Sequence, residues 1–536
     1  MTVQIRCIAL LLLSPLLWVL PQSADARQPN VILFLLDDLG WKDLGCYGSD
    51  YYETPNIDRF ASRSVRFTQA YATCHVCSPT RASIVTGKYP ARLKLTDWLP
   101  GRREFPFQKL SNATIVQQLP LNEQTIAETM RSHGYKTAHL GKWHLGEEPF
   151  GPTAQGFEIQ IPRWNKGWPK AGYHAPFKFE GLTDQPGDYL TDRLTDEAES
   201  FIESCGDSPF FLYLSHFAVH DPIQGRADLV AKYEQKNEKR SANDLPAFVL
   251  EGNPDDEAPL STQDLKDRID EPDWAEYRVL PDRTVKIKQQ QDNAQFAAMV
   301  ESVDESLGRV LRKLNQLDLD QDTIVILFSD NGGMSGANFG RPSRVVSKDQ
   351  LDKAFSTSNL PLRGAKGWLY EGGIREPLII HWPAKGKSGS VCDVPVISTD
   401  LYPTILEMVG LPLQPEQHVD GVSLASLVSG TSTLERDALF WHFPHYSNHG
   451  MQSPGGAIRV GDYKLLEYFE NGSVQLFNLR EDLGEQHDLS REEPELARQM
   501  RKRLHEWRTK VDAEMMPDNP DYDPNAKLSA SAIPKR

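Results

Sequence analysis

The stretch Val31-Ile-Leu-Phe-Leu-Leu-Asp-Asp38 decides the fold of this chain. It begins with six apolar residues, Val31–Leu36, and a short run of this kind predicts a β-strand. Asp37 and Asp38 follow directly, where the strand is expected to end. In open α/β sheets, ligand sites form beyond the carboxyl ends of the strands. The two acidic residues therefore indicate the edge of the sheet at which a site is expected.

Further apolar runs of the same kind alternate with helical segments along the chain. They lie at Thr137–Leu140, Phe210–Leu214, Thr323–Phe328 and Leu378–Ile380. A helix is predicted before Thr323, because apolar residues recur there at spacings of three or four. These residues are Phe296, Val300, Val303, Leu307, Leu311 and Leu314. The alternation predicts an α/β fold with a large, mainly parallel sheet covered by helices on both faces.

Residues 27–536 are predicted to form two parts: a main domain, residues 27–435, which contains these strands, and a small C-terminal α+β subdomain, residues 436–536. Within the main domain, about residues 224–287 are polar, charged and interrupted by prolines, which predicts a long surface insertion rather than a linker between domains. A capping box at Ser490–Glu493 predicts the start of the final helix. Short strands of the subdomain are expected around Ala438–Trp441, Ile458–Val460 and Tyr463–Leu466.

The overall composition is that of an ordinary globular protein. Of the 536 residues, 39% are hydrophobic and 25% are charged, which is enough for a large core and a second, smaller domain. The formal net charge of -16 at pH 7 argues against a nucleic-acid partner, because such proteins need a basic surface. An anionic ligand would have to be attracted by a local pocket instead.

The first 26 residues have the pattern of a secretory signal peptide. Arg6 precedes the apolar run Cys7–Leu20, and Ala24-Asp-Ala26 offers small residues for cleavage after Ala26. A short membrane anchor is the alternative, although the run is short for a membrane span. No later stretch reaches that length, so we expect a secreted or periplasmic protein with no membrane attachment after cleavage.

Removal of the signal peptide would leave five cysteines: Cys46, Cys74, Cys77, Cys205 and Cys392. An odd number means that at least one of them is unpaired within the chain. The pair in Cys74-His-Val-Cys77 has three interpretations: a thioredoxin-like redox pair, half of a zinc site, or two small buried residues. A zinc site would need a second close pair, and the other cysteines are scattered singly.

Ionisable residues stand at four of the predicted strand ends and before a fifth strand. One such group alone is usually a capped turn, but five together indicate a site. The segments are Asp37-Asp38, Gly141-Lys-Trp-His144, His220-Asp-Pro222, Asp330-Asn-Gly-Gly333 and, before Leu378–Ile380, Leu362-Arg-Gly-Ala-Lys366.

The residue types at these positions predict a chemistry. Lys142 and Lys366 are point cations of the kind that bind tetrahedral oxyanions. His144 and His220 can donate or accept protons near neutral pH. Four residues offer hard oxygen ligands, which suit Ca²⁺ or Mg²⁺ better than zinc or copper: Asp37, Asp38, Asp330 and Asn331. Together these groups predict hydrolysis of an anionic ester, for which only the nucleophile is missing.

Two further segments carry a resemblance to a known family. Cys77-Ser-Pro-Thr-Arg81, followed by Ile84-Val-Thr-Gly87, resembles the signature of type I sulfatases, in which the cysteine is oxidised after synthesis to Cα-formylglycine. Gly134-Tyr-Lys-Thr137 together with Gly141-Lys-Trp-His144 is similar to the second signature of that family. The likeness, which runs from Asn30 to about Asp488, implies an arylsulfatase-like sulfuric ester hydrolase with the fold of alkaline phosphatase and a catalytic domain at residues 27–435.

The resemblance also implies a role for each candidate residue. Cys77, as formylglycine, hydrates to a diol that is the nucleophile, Arg81 orients this diol, and His144 takes the proton of its second hydroxyl group. The implied ligands of one Ca²⁺ per chain are Asp37, Asp38, Asp330, Asn331 and an oxygen of residue 77. The implied sulfate ligands, one of which protonates the leaving oxygen, are Lys142, His220 and Lys366.

The implied partners are a sulfated small molecule or sugar and a formylglycine-generating or maturase enzyme. A phosphatase or phosphodiesterase of the same superfamily is one alternative, and it would use Ser or Thr as nucleophile. A non-catalytic carbohydrate-binding relative is another, but such a protein is expected to lose Cys77 or a lysine. Export, the acidic surface and the resemblance favour sulfated sugars or polysaccharides as substrates over steroids or small aryl esters. Three tryptophans in loop-like segments are candidates for stacking on sugar rings or for anchoring their loops: Trp98, Trp164 and Trp168.

Overall fold

The computed structural model describes residues 28–241, 246–256, 259–268, 284–336, 355–430, 434–449 and 452–526. The predicted signal peptide, residues 1–26, lies outside the described residues. None of the helices that the structure describes combines the length and apolar character needed to cross a lipid bilayer.

The described residues form fifteen strands and twelve α-helices. The strands are β1 Asn30–Leu36, β2 Val65–Tyr71, β3 Lys136–Gly141, β4 Ile159–Ile161, β5 Phe210–Ser215, β6 Phe248–Glu251, β7 Val285–Lys288, β8 Thr323–Ser329, β9 Arg375–His381, β10 Val391–Cys392, β11 Val396–Ile397, β12 Leu439–Phe443, β13 Gly455–Val460, β14 Tyr463–Tyr468 and β15 Val474–Asn478. The helices are α1 Pro55–Ala61, α2 Cys77–Thr86, α3 Pro90–Leu93, α4 Ile126–Ser132, α5 Leu190–Cys205, α6 Ala227–Glu238, α7 Thr262–Arg268, α8 Ala294–Gln316, α9 Glu371–Ile374, α10 Leu401–Val409, α11 Ala425–Val428 and α12 Pro494–Lys510.

A nine-stranded sheet forms the centre of the molecule, in the order β10-β2-β9-β8-β1-β5-β3-β4 with β11 paired to β2. Strand β1 lies between β5 and β8 and runs parallel to both. Strand β9 is antiparallel to its neighbours β2 and β8. The prediction of a large, mainly parallel sheet is confirmed. Because β9 is reversed, it begins at the edge where β1 and β8 end, which brings the glycine-rich segment before it to that edge.

The apolar run of β1 is buried on both faces of the sheet. Ile32 and Phe34 pack in a core cluster with α5 and α8, whereas Val31 and Leu33 pack in a second cluster with α4 and α10. A strand between two helix layers needs apolar side chains on both of its faces, which explains why the run does not alternate. The predicted helix before Thr323 is confirmed as α8, whose first turn is capped by the side chain of Asn293.

The described part of residues 224–287 contains α6, α7 and a two-stranded antiparallel sheet of β6 and β7. Helix α6 packs on α8 through Leu229, Val230 and Ala298. The sheet of β6 and β7 packs instead in the core cluster of the C-terminal sheet, through Val285 and Ile287. The segment therefore contributes secondary structure of its own and is attached at two places.

The C-terminal part contains a four-stranded antiparallel sheet, β12-β13-β14-β15, with α12 packed against it. The predicted capping box at Ser490–Glu493 is wrong, because α12 begins at Pro494 and its N-cap residue makes no side-chain capping bond. Proline has no backbone N–H to leave unsatisfied and has a helical φ, so Pro494 favours a helix that begins at its own position. The four residues before it form a turn in which the N–H groups of Glu492 and Glu493 bond the carbonyl of Leu489.

A buried ion cluster joins this smaller sheet to the central one. Lys464 Nζ of β14 lies 3.0 Å from Glu371 Oε1 and 2.9 Å from Glu485 Oε1, and all three side chains are fully buried. Glu371 opens α9, and the carbonyl of Gly373 in that helix accepts a hydrogen bond from Gly332 N. The cluster therefore supports the turn that follows β8.

Replacing Lys464 by methionine is expected to destabilise the fold by about 3 kcal/mol, because two buried carboxylates lose their shared cation. Urea denaturation measures the effect. Lys502→Met is the matched control, since its side chain on α12 is 70% exposed and only a small change is expected there. Equal denaturation midpoints for the two variants would contradict the prediction.

Candidate active site

The four predicted metal ligands lie together where β1 and β8 end. These strands are neighbours in register, with Leu36 opposite Ser329. Asp38 N donates to Asp330 Oδ1 at 3.2 Å, and Asn331 Nδ2 donates to Asp38 Oδ1 at 2.8 Å. Each of the four residues is at most 1% exposed: Asp37, Asp38, Asp330 and Asn331. The oxygen donors expected from the two strand ends therefore form one buried cluster.

Each aspartate of this cluster has a different cation as its nearest ion-pair partner. Lys142 Nζ lies 2.9 and 2.7 Å from the two carboxylate oxygens of Asp37. Lys366 Nζ lies 2.7 Å from Asp38 Oδ1. Arg81 is the third cation, and its Nε donates a hydrogen bond to Asp330 Oδ2 at 2.8 Å. The structure thus brings both predicted anion-binding lysines to the acidic cluster.

Gly141 allows Lys142 to enter the site. Its φ is +110°, and a Cβ atom there would lie 1.8 Å from the carbonyl oxygen of Ser215. Only glycine permits this approach, which lets Lys142 N donate to the same carbonyl at 2.7 Å. The last residues of β3 and β5 are held together in this way, next to the ends of β1 and β8.

Cys77 is the first residue of α2 and lies against His144. Its Sγ is 3.2 Å from His144 Nδ1, and His144 Nε2 is 2.7 Å from the carbonyl oxygen of Leu99. Since a carbonyl only accepts, Nε2 carries the proton and Nδ1 presents a lone pair toward residue 77. Burial, followed by the charge of Lys142, lowers the pKa of His144 well below its usual range. The ring is therefore a neutral proton acceptor beside Cys77.

His220 lies on the other side of the aspartates. Its Nε2 is 3.7 Å from Asp38 Oδ2, and its Nδ1 is 2.8 Å from Asp221 Oδ1. Burial and the charge of Lys366 lower the pKa of His220, but the carboxylates of Asp38, Asp221 and Asp37 outweigh these effects and raise the pKa to about 9. The surrounding carboxylates thus favour the imidazolium form, which can donate a proton.

Three contributors to the site were not predicted from the sequence. Ser215 Oγ accepts from Arg81 Nη1 at 2.6 Å and donates to the Lys142 carbonyl at 2.9 Å. Gly167 lies directly on the imidazole of His144, where a Cβ atom would be 2.3 Å from Cε1. His449 lies near Lys366, and burial together with the charge of this lysine lowers the pKa of His449 well below its usual range. The position of Ser215 at a strand end is a signal that could have identified it, whereas Gly167 and His449 carry none.

The five cysteines among the described residues are all free thiols. Burial raises the pKa of Cys74 well above its usual range, so this thiol is a poor nucleophile and a poor metal ligand. A redox pair or half of a zinc site at Cys74 and Cys77 is not supported by this arrangement.

Comparison with known proteins agrees with the geometry. Residues 29–411 match the family model described as Sulfatase. The chain belongs to the sulfatase family. Residues 365–510 of this sulfatase also match the C-terminal domain of N-sulphoglucosamine sulphohydrolase. The predicted membership and the prediction of a sulfuric ester hydrolase are confirmed.

Relatives of this sulfatase match it over most of its length. A sulfatase of Formosa agariphila is 31% identical and covers 94% of this chain and 93% of its own. An N-acetylglucosamine-6-O-sulfatase of Bacteroides thetaiotaomicron is 26% identical, over 88% of this chain and 84% of its own. The crystal structure of Ps i-CgsB matches with a TM-score of 0.66 and 25% identity, over 90% of this chain and 93% of its own. The fold is alkaline phosphatase-like, as predicted.

Proposed function

We propose that this sulfatase hydrolyses sulfate esters of carbohydrates with residue 77, converted from cysteine to formylglycine, as its nucleophile. The observation that supports the proposal best is the position of Cys77. It stands at the first turn of α2, 3.2 Å from a neutral histidine and close to a cluster that contains three cations and three aspartates. A sulfate group is attracted by these cations, and His144 is placed to take a proton from residue 77.

The residues present fit a divalent cation, and we propose that it is one Ca²⁺ per chain. Asn331 Oδ1 is buried without a hydrogen-bond partner among the described residues, and an amide oxygen left in this way is suited to a cation. The proposed ligands are Asp37, Asp38, Asp330, Asn331 and an oxygen of residue 77. Bound there, the cation would supply Lewis-acid charge for the nucleophile and the sulfate.

Each side chain around residue 77 has a separate role in the proposed reaction. Hydration of the aldehyde at residue 77 gives a diol, which Arg81 orients, and one hydroxyl group attacks sulfur as the bond from sulfur to the alcohol oxygen breaks. His220 donates its proton to that leaving oxygen. His144 then takes the proton of the second hydroxyl group, so the carbonyl re-forms and the bond from carbon to the sulfate oxygen breaks. The proton lost by the attacking hydroxyl group restores His220, and the proton held by His144 passes to the departing sulfate. Water then hydrates the aldehyde again, so the net reaction converts a sulfate ester and water into an alcohol and hydrogen sulfate.

Lys142 and Lys366 are proposed to hold the sulfate during this reaction. Replacing either by alanine is expected to lower kcat/KM by about 10²-fold or more, because an oxyanion loses a stabilising charge. Lys136→Ala, at the opposite end of β3, is the control for the loss of a lysine. A rise in KM alone would indicate ground-state binding only, and unchanged kinetics in both variants would exclude these lysines from the sulfate site.

The proposed substrates are sulfated sugars or polysaccharides. The name of the Bacteroides relative and the structure of Ps i-CgsB in complex with k-i-k-neocarrahexaose support this class. An extracellular or periplasmic location, which we propose from the pattern of residues 1–26, would give access to such polymers. A separate formylglycine-generating or maturase enzyme is proposed to oxidise Cys77.

Two measurements test the proposal together. Mass spectrometry of the tryptic peptide that contains residue 77 distinguishes formylglycine, which has lost the sulfur, from a thiol or a disulfide. A panel of regiospecifically sulfated monosaccharides then identifies the sugar and the ring position. An active enzyme that keeps the sulfur at residue 77 would contradict the mechanism and favour the phosphatase-like alternative. Binding of sulfated sugars without sulfate release would favour a non-catalytic relative.

A further inference from the structure

The segment Trp164–Tyr173 connects the two histidines of the site. At one end, Gly167 packs on the imidazole of His144, and Asn165 O accepts a hydrogen bond from His144 N at 3.1 Å. At the other end, Tyr173 Oη donates to His220 O, 2.9 Å away. The segment therefore borders the site on the side where both proton-transfer residues lie.

The two tryptophans of this segment differ in their surroundings. Trp164 is partly buried against the core, and its Nε1 donates to the carbonyl oxygen of Trp168 at 2.6 Å. The side chain of Trp168 remains 42% exposed. Trp164 therefore anchors its loop, whereas Trp168 offers the free ring surface that stacking on a sugar requires.

Two lysines of the same segment add positive charge around the ring of Trp164. The Nζ atoms of Lys166 and Lys170 lie 5.7 and 5.3 Å from the centre of the Trp164 ring. Lys166 has one carboxylate nearby, that of the exposed Glu147 at 3.5 Å. Among the described residues, no carboxylate lies within 4.0 Å of Lys170. Two like charges near one indole repel each other, so a bound anion would stabilise the pair.

We propose that the segment Trp164–Tyr173 binds the sugar part of the substrate, with Trp168 stacked on a ring and with Lys166 and Lys170 bound to a second anionic group. The inference rests on the proposed function and specifies its substrate class: a saccharide that carries a sulfate or carboxylate group in addition to the sulfate that is cleaved. The local charge matters because the protein as a whole, at -16, repels such polyanions.

The test compares two substrates for each variant. Trp168→Ala is expected to lower kcat/KM about tenfold for a disulfated disaccharide, a loss typical of one aromatic contact. Its kcat/KM for 4-nitrophenyl sulfate, which has no sugar, should stay the same, and Trp168→Phe should restore the activity on the disaccharide. An equal change for both substrates, or no change for either, would overturn the proposal, as would a wild-type enzyme that cleaves the aryl ester and none of the saccharides.

The lysines are tested with a second pair of substrates. Lys166→Ala combined with Lys170→Ala should lower kcat/KM several-fold for a disulfated disaccharide but not for its monosulfated counterpart, and the difference should shrink at high salt. Lys385→Ala is the control, since this residue follows the end of β9 at the opposite edge of the sheet. An equal loss for both disaccharides would overturn the second-anion contact. Failure of the wild-type enzyme to release sulfate from any ester would instead contradict the proposed function.

Discussion

Replacement of Cys77 by alanine is expected to lower sulfate release by about 10⁴-fold or more, because the nucleophile is removed from a site that is otherwise intact. The variant should fold normally, since only a small side chain is lost where Cys77 meets His144. Sulfate release and the thermal transition measure the two outcomes. Appreciable turnover in a folded Cys77→Ala protein would exclude residue 77 as the nucleophile.

Replacement by serine distinguishes the diol mechanism from direct attack by a hydroxyl group. A serine that stays unmodified can take up one sulfate but cannot expel it by forming a carbonyl. We therefore expect a covalent sulfate ester that accumulates after one turnover and is visible as a mass increase of the intact protein. Steady turnover by a serine variant shown to be unmodified would contradict the diol mechanism.

Replacement of Asp330 by alanine is expected to abolish activity and lower the thermal stability. The variant loses a proposed metal ligand. It also removes the nearest ion-pair partner of the fully buried Arg81, at 2.8 Å, and leaves only Asp37, whose Oδ1 is 3.7 Å from Arg81 Nη2. A cation that binds only the folded state stabilises it, by about 2.7 kcal/mol at a concentration of 100 Kd.

Chelation separates the two effects of Asp330→Ala. EDTA should lower the Tm of the wild-type protein, and Ca²⁺ should restore it, whereas the variant should respond to neither. Equal responses in both proteins would show that Asp330 is not a ligand. Full activity of the wild-type enzyme after thorough chelation would exclude the acidic cluster as a catalytic metal centre.

The site residues that are easiest to predict from the sequence are those that directly follow a strand. Asp37 and Asp330 follow apolar runs, and parallel neighbours in a sheet bring such residues to one edge. The reversed direction of β9 was not predictable, because Leu378–Ile380 is equally apolar in either direction. The contact between Gly167 and His144 was also not predictable from the sequence, because it depends on how a loop folds back over the site. The wrong start of α12 has a simpler cause: a capping-box pattern at Ser490 competes with the backbone preference of Pro494, and the latter determines where the helix begins.

The burial of α2 has a consequence for how the enzyme is made. All ten residues of this helix are buried, and Cys77 is 3% exposed. A modifying enzyme needs access to its target side chain, which the folded chain does not provide at residue 77. We therefore expect the proposed oxidation to take place on the nascent or newly released polypeptide, in competition with folding. A molecule that folds before residue 77 is oxidised would then stay inactive. The specific activity of a preparation would therefore depend on the fraction of molecules that were oxidised before they folded.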